Sequence, residues 1–205
     1  MSRLPKLREL LSRFRREERA VAAVEFALIM PFLLSLYFGS MEGAALFTAD
    51  KRVNSISATL GDLVAQWDPD DGDLTTSTLN DYFTAAQGII TPFSSTGVKQ
   101  VVSLIEVKAD GTTKVLWSQA YGTGATARTT GAAYSALGAA TMMNQVARGG
   151  CIVAAETSYS YKPVLGQVFT TALNLAHTNF FIPRYGATFP IDLDTTSLAS
   201  TACTA

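Results

Sequence analysis

The sequence predicts an α+β protein in which one long N-terminal helix packs on a small antiparallel sheet with short helices. Three observations lead to this prediction. A basic N-terminus precedes an apolar stretch of membrane-spanning length, a helical apolar stripe continues beyond that stretch, and β-rich runs occupy the second half. The 205 residues suffice for one domain with an appendage. Charged residues make up only 16%, against about 25% in ordinary soluble domains, and this argues against a disordered chain.

Charge is distributed unevenly along the chain. Residues 1–19 hold seven basic and three acidic residues, net +4, whereas the remainder is net −5. The near-neutral total gives no electrostatic footprint for nucleic acid. We therefore read residues 1–20 as a basic leader.

The stretch from Ala20 to Met41 contains twenty-two residues and a single charge, Glu25. As a helix it would be about 33 Å long, enough to cross a hydrocarbon core of about 30 Å. The sequence thus predicts a transmembrane helix over residues 21–43. Because basic residues resist translocation, the leader should stay in the cytoplasm and the bulk of the chain should lie outside.

A secretory signal peptide is the competing interpretation of this stretch. The apolar run Phe26–Phe38, followed by Gly39 and Ser40, has the length and the small residues of such a signal. A retained membrane helix is favoured because the helical pattern continues past the apolar stretch.

The continuation covers residues 44–67. Its apolar residues recur at steps of three and four, which places them on one face of a helix. We expect one helix from about Val21 to Gln66, amphipathic in its second half. The stripe is predicted to dock on this chain's own globular part, in preference to an intermolecular coiled coil; it consists of Leu46, Ala49, Val53, Ile56, Leu60, Leu63 and Trp67.

Glu25 requires an explanation, because an ionised carboxylate in an apolar span is costly and such groups are functional candidates. One explanation is that Glu25 lies near the cytoplasmic boundary and reaches headgroups or water. The other is that the chain is cut after Ala20. Val21 would then carry a new α-ammonium with Glu25 one helical turn away, in the first turn, where the helix dipole favours negative charge.

The segment Arg19–Leu28, continuing through Pro31, resembles the start of TadE-like pseudopilins of the tight-adherence (Tad, or Flp) pilus system. Family members commonly have a basic residue, Gly, a short Ala/Val run, Glu, an aromatic residue and a Leu-rich stretch with Pro. This chain has Ala20 where Gly is usual. The resemblance implies cleavage by a prepilin peptidase between Ala20 and Val21, with Glu25 acting in helix assembly.

Two later segments carry a second resemblance. Residues 149–163, with the ending Tyr159-Ser160-Tyr161-Lys162-Pro163, look like the late TadE-like strand. Ile182-Pro183-Arg184 is similar to the family's terminal segment. A pilin-like arrangement of the long helix on the sheet is therefore expected.

The function that this resemblance implies is support of the assembly or initiation of a Tad pilus for surface adhesion. The implied partners are other Tad pilins and pseudopilins, the prepilin peptidase, the inner-membrane pilus assembly platform and membrane lipid, with no nucleic acid. The implied location is the bacterial inner membrane, single-pass, with a periplasmic C-terminal domain. The alternative is a secreted or membrane-anchored extracytoplasmic ligand-binding domain without enzymatic activity.

The exterior part, residues 68–205, is predicted to be mixed α and β. A turn at Ala109-Asp110-Gly111 should join two strands in a hairpin. The tail after Ile191 is a Thr/Ser/Ala-rich terminus. The predicted helices are Thr76–Gln87, Gly131–Arg148 and Gln167–His177, and the predicted strands are Val98–Lys108, Thr112–Ala120 and Cys151–Tyr161.

Both cysteines, Cys151 and Cys203, fall on the predicted outer side. An oxidising periplasm permits a disulfide, and an even count invites one. Their pairing would close a loop of about fifty residues, worth roughly 4 kcal/mol as an upper figure. Alternatively, Cys151 is a buried strand residue and Cys203 a free tail thiol.

Other candidates for chemistry fail on their sequence context. The acidic turn at residues 68–73 resembles a calcium loop, but its glycine comes early and Leu79 stands where a final bidentate glutamate belongs. The single histidine, His177, is expected to be a helix-face or terminal residue rather than a base. No nucleophile–base pair can be proposed, so we expect no enzyme activity, no cofactor and no metal.

Overall fold

The computed structural model describes residues 18–68, 72, 74–163, 171–185, 191–193 and 196–197. It describes side chains for these residues except 18–20, 191–193 and 196–197. The chain divides into two compact units, one comprising Met1–Ala45 with Pro163–Thr171 and the other Leu46–Lys162 with Ala172–Ala205. The predicted α+β class is confirmed.

The long helix, α1, runs from Glu18 to Ala65 over 48 residues, which confirms the predicted helix from Val21 to Gln66. Pro31 lies inside it. A proline lacks the N–H that would bond the carbonyl four residues earlier, which is that of Ala27. One turn later, the Ser35 hydroxyl donates to the carbonyl of Pro31 at 2.8 Å, as helical serines commonly do.

The core sheet has four antiparallel strands: β2 Val98–Val107, β3 Thr113–Tyr121, β4 Gly150–Tyr161 and β5 Leu173–Phe181. Their order in the sheet is β3–β2–β4–β5. Its first two strands form the predicted hairpin. Gly111 adopts φ +85° at the turn, a conformation that favours glycine. The backbone N–H and the hydroxyl of Thr112 both donate hydrogen bonds to the Asp110 carboxylate. These bonds, the backbone one most strongly, hold the pKa of Asp110 below its usual value.

The C-terminal part of α1, residues 46–65, covers one face of this sheet. The centre of the predicted stripe is fully buried there, so the prediction that it docks on the chain's own globular part is confirmed; these residues are Ala49, Val53, Ile56 and Leu60. Helix α2, Thr76–Gln87, has the predicted bounds and is capped by the Thr75 side chain. It joins the same face, since Gln100 donates to the carbonyl of Phe83 and Phe83 stacks on Tyr121. A 3-10 turn, Gly88–Ile90, follows it.

The opposite face of the sheet is covered by the long connection between β3 and β4. Tyr134 and Leu137 from this connection pack against a buried apolar cluster. The sheet contributes the other main members of that cluster: Ile105, Val107, Val115, Ile152 and Ala154.

The predicted helix Gly131–Arg148 is wrong over most of its length, because only α3, Met142–Val146, is helical. The reason is tertiary. Residues 131 and 132 exchange backbone hydrogen bonds with Val115 on strand β3, and Gly131 has φ +84°. The apolar residues that imitate a helical period, Tyr134 and Leu137, instead anchor an irregular segment on the sheet.

The predicted helix Gln167–His177 is also wrong where it is described, since β5 begins at Leu173. Pairing with β4 over nine residue pairs satisfies the backbone there and outweighs local preference. The remainder of that predicted helix, residues 167–170, lies outside the described residues. In the tail, β6 Ile191–Leu193 pairs in parallel with β1 Leu74–Thr75, and β7 Thr196–Ser197 pairs with β6.

Candidate functional site

The apolar N-terminal half of α1 is the candidate functional segment. By length and composition, the helix Val21–Ala65 could cross a membrane, with a mean hydropathy of 2.0 in its most apolar window. None of that window is buried, unlike the core helix of a soluble protein. A signal sequence near the N-terminus would meet the same criteria.

Large apolar side chains are exposed on all sides of this segment. Exposure reaches 73% at Leu28 and 70% at Phe32. Because such a surface is unfavourable in water, it requires lipid or other helices around it. The exposed set comprises Val21, Val24, Phe26, Leu28, Ile29, Met30, Phe32, Leu33, Leu34, Leu36, Tyr37, Phe38 and Met41.

Glu25 is the only charged residue in this exposed stretch, and its side chain is exposed. Within the described residues it forms no salt bridge. Val21 lies four residues earlier on the same helical face. Ala20 is helical in its backbone. The geometry therefore leaves the Glu25 carboxylate available for a cation that another group supplies.

Sequence reasoning missed Glu42, which follows the apolar stretch directly. Its side chain is only 3% exposed, so it does not act as a solvated boundary charge. No sequence signal marks this burial, because a carboxylate that directly follows an apolar stretch is ordinarily expected to be solvated.

Polar contacts join the C-terminal part of α1 to β5 and the residues that follow it. His177 lies on β5, not on a helix, and its Nε2 is 2.7 Å from Oδ1 of Asp50. Asn179 donates to Ser57 at 2.7 Å, and Arg184 contacts Asp62 at 2.6 Å. His177 is thus a contact residue between helix and sheet, which corrects the expectation of a helix-face or terminal residue.

A second polar cluster lies on the sheet face opposite α1. The guanidinium of Arg128 donates from Nε and Nη2 to the carboxylate of Glu156, at 3.1 and 2.5 Å. Tyr134 donates its hydroxyl to the same carboxylate at 2.5 Å. Burial, and then the hydrogen bond to Glu156, raise the pKa of Tyr134 above its ordinary value. Sequence reasoning missed this cluster, and no local pattern marks it, because its members are 6 to 28 positions apart in the chain.

The predicted disulfide remains a prediction. Cys151 is buried on β4, and the described part of the chain contains no free cysteine thiol. Cys203 lies outside the described residues.

The acidic turn is described only at Asp68 and Gly72, where the Trp67 indole donates to the carbonyl of Gly72 at 3.1 Å. Among described residues, no group of three His, Cys, Asp or Glu side chains could hold a metal ion.

Comparison with known protein families supports the exposed part of α1 as the candidate functional segment. Neither the curated proteins nor the solved structures contain a match to this chain. A family model described as TadE-like protein matches residues 20–59, which begin at the predicted cleavage site and include Glu25 and much of the buried stripe. The resemblance is confirmed on those residues, and the chain carries a TadE-like segment at residues 20–59.

Proposed function

We propose that this protein is a pseudopilin that supports the assembly or initiation of a Tad pilus, and thereby surface adhesion. One observation carries the proposal: the TadE-like segment includes the stretch Val21–Met41 of α1, which exposes apolar side chains on all sides and bears a single carboxylate, Glu25. Such a helix is suited to lie among other helices in a membrane. The role is structural rather than catalytic.

The proposed mechanism begins with cleavage between Ala20 and Val21 by the prepilin peptidase. Cleavage removes the basic leader and gives Val21 an α-ammonium. Glu25 of one copy then offsets the ammonium of a neighbouring pilin, which lowers the cost of holding both charges in an apolar surrounding. Without that pairing, each charge would oppose side-by-side assembly of the helices.

The proposed organisation follows from the charge distribution. Residues 1–20 form the cytoplasmic leader, 21–43 the span, 44–67 the amphipathic continuation and 68–205 the periplasmic domain. The direct partners are other Tad pilins and pseudopilins, with the inner-membrane assembly platform and lipid around the span. The disulfide between Cys151 and Cys203 belongs to this proposal, because both residues would lie in the oxidising periplasm.

The experiment that tests the proposal identifies the mature N-terminus. The protein is extracted from membranes of pilus-producing cells, with and without an active prepilin peptidase, and its terminus is determined by mass spectrometry. We expect Val21 first in the former cells and the intact leader in the latter. Replacing Ala20 with Leu should block cleavage, whereas Ala20→Gly should permit it. A mature chain that begins near residue 40 would support ordinary secretion, and an uncut chain in cells with the peptidase would contradict the mechanism.

A further inference from the structure

A polar groove of about 330 Å³ lies on the sheet face opposite α1. Its floor consists of two neighbouring rows of side chains. Each row contains paired residues from β2, β4 and β5. One row is Lys99, Ser158 and Ala176, and the other is Val101, Glu156 and Thr178. Its wall is the segment Gly124–Arg128. The groove is at the lower end of the volumes typical of small-molecule sites.

Glycines shape the wall. Gly122 adopts φ +104°, and a Cβ there would collide with the carbonyl of Val98, so the chain turns tightly after β3. The wall is then fixed to the sheet, because the backbone N–H of Arg128 donates to the hydroxyl of Ser118 at 2.9 Å. The groove is thus held by backbone geometry as well as by its side chains.

Two cations border the groove. The Lys99 side chain is exposed, and it forms no hydrogen bond or ion pair within the described part of the chain. The Arg128 guanidinium is held by the less exposed Glu156 and lies 5.6 Å from the centre of the Tyr134 ring. Nε and Nη2 of Arg128 donate to Glu156, so the N–H groups on Nη1 are available to donate to a ligand.

Hydroxyl groups provide the remaining polar contacts. Thr126, Ser158 and Thr178 line the groove, and no hydrogen bond of their side chains joins described residues. The floor between them is formed by the small side chains of Ala176 and Val101. This combination suits a ligand that places a carboxylate beside several hydroxyl groups, and it offers no deep apolar pocket for a hydrophobic ligand.

We propose that this groove binds an acidic saccharide, with a uronate carboxylate between Lys99 and Arg128 and sugar hydroxyls on the threonine and serine side chains. Glu156 acts as a positioning residue, since it orients Arg128 and is itself engaged by Tyr134. The inference does not depend on the proposed pilus role, because ligand binding and leader cleavage concern different parts of the chain.

The test uses the full chain in nanodiscs of zwitterionic phosphatidylcholine, so that no sugar-headed detergent competes. Trigalacturonate is titrated by calorimetry, with maltotriose as the neutral trisaccharide and inorganic phosphate as the simple anion. We expect binding of trigalacturonate that weakens with salt, since the attraction is between exposed charges, and no binding of maltotriose. Phosphate should bind more weakly than trigalacturonate, because it cannot engage the row of hydroxyls.

Variants assign the binding to the groove. Lys99→Gln should weaken trigalacturonate binding about tenfold by removing a charge-assisted contact, and Lys99→Arg should largely retain it. Lys108→Gln makes the same charge change on an exposed lysine of the β2–β3 turn and should have no effect. Thr178→Val should weaken trigalacturonate but leave phosphate unchanged. Absence of trigalacturonate binding, equal binding of maltotriose or of phosphate, or equal effects of the two Lys→Gln variants would each overturn the proposal.

Discussion

Gly61 on helix α1 packs directly against the aromatic ring of Phe181 on strand β5. A Cβ at position 61 would overlap two ring carbons of Phe181 and approach the Cβ of Ala155 to 3.1 Å. The missing side chain therefore lets the helix backbone come close to the sheet. The polar contacts Asp50–His177 and Asp62–Arg184 lie to either side of Gly61 along the helix.

The first prediction concerns this close approach. Gly61→Ala should lower the free energy of unfolding by about 1–3 kcal/mol, because overpacking outweighs the better helix propensity of alanine. Chemical unfolding of the full chain in detergent, followed by circular dichroism, measures the effect. Gly88→Ala is the matched control, since a Cβ at that position meets nothing within 4 Å. Adding Phe181→Leu to Gly61→Ala should recover part of the loss, and additive effects of the two substitutions would refute direct contact.

The second prediction concerns Glu25. Glu25→Gln and Glu25→Ala should leave the protein inserted in the membrane but impair pilus assembly, because the Val21 ammonium loses its partner. Glu25→Asp should be milder, since it keeps the charge. Immunoblots of membrane fractions measure insertion, and electron microscopy counts pili. Normal piliation with Glu25→Ala would contradict the pairing.

The third prediction is topological. A reporter enzyme that is active only outside the cytoplasm, fused after Ala205, should be active, because the basic cluster precedes the span. The same reporter fused after Arg19 should be inactive. Activity in the reverse pattern would overturn the proposed organisation.

The fourth prediction is the bond between Cys151 and Cys203. Protein extracted from the membrane and denatured should react with a thiol reagent only after reduction, and then at two sites. In Cys151→Ser, Cys203 should react without reduction. Equal labelling before and after reduction of the unmodified chain would exclude the bond.

The fifth prediction concerns Tyr134, whose pKa is raised by burial and by the hydrogen bond to Glu156. A raised pKa in the folded state means that this group contributes stability fully below the unfolded pKa of about 10, and that the contribution is lost as pH rises through the folded value. Tyr134→Phe should lower the free energy of unfolding by about 1–3 kcal/mol at pH 7, because Glu156 loses a donor.

Unfolding measurements from pH 8 to pH 11 provide the pH test. The loss of stability above pH 10 should be smaller in Tyr134→Phe than in the unmodified chain. Tyr82→Phe serves as a control on a tyrosine whose pKa is raised by burial alone. An unchanged pH dependence in Tyr134→Phe would show that this hydroxyl does not titrate as proposed.

The sequence by itself determined the long helix, the bounds of α2, the β2–β3 hairpin and the strand that contains Cys151. In each of these, local signals agree with the final structure. The apolar period continues for many turns in α1, Thr75 supplies a cap for α2, and Asp110-Gly111 supplies turn chemistry for the hairpin. The apolar span and the single charge within it, Glu25, could also be identified from the sequence, because composition and length alone distinguish such a helix.

Tertiary structure alone decided the segments whose local signals conflict with their pairing. Residues 173–181 form a strand because β4 offers a complete edge of backbone donors and acceptors, and that pairing outweighs a weak helical pattern. Residues 131–141 stay irregular because Tyr134 and Leu137 are held by the sheet. The contacts His177–Asp50, Gly61–Phe181 and Arg128–Glu156 join residues separated by 28 to 127 positions. Neither the periodicity nor the spacing of residues in the sequence predicts these contacts, because only the folded backbone brings the two partners close enough to interact.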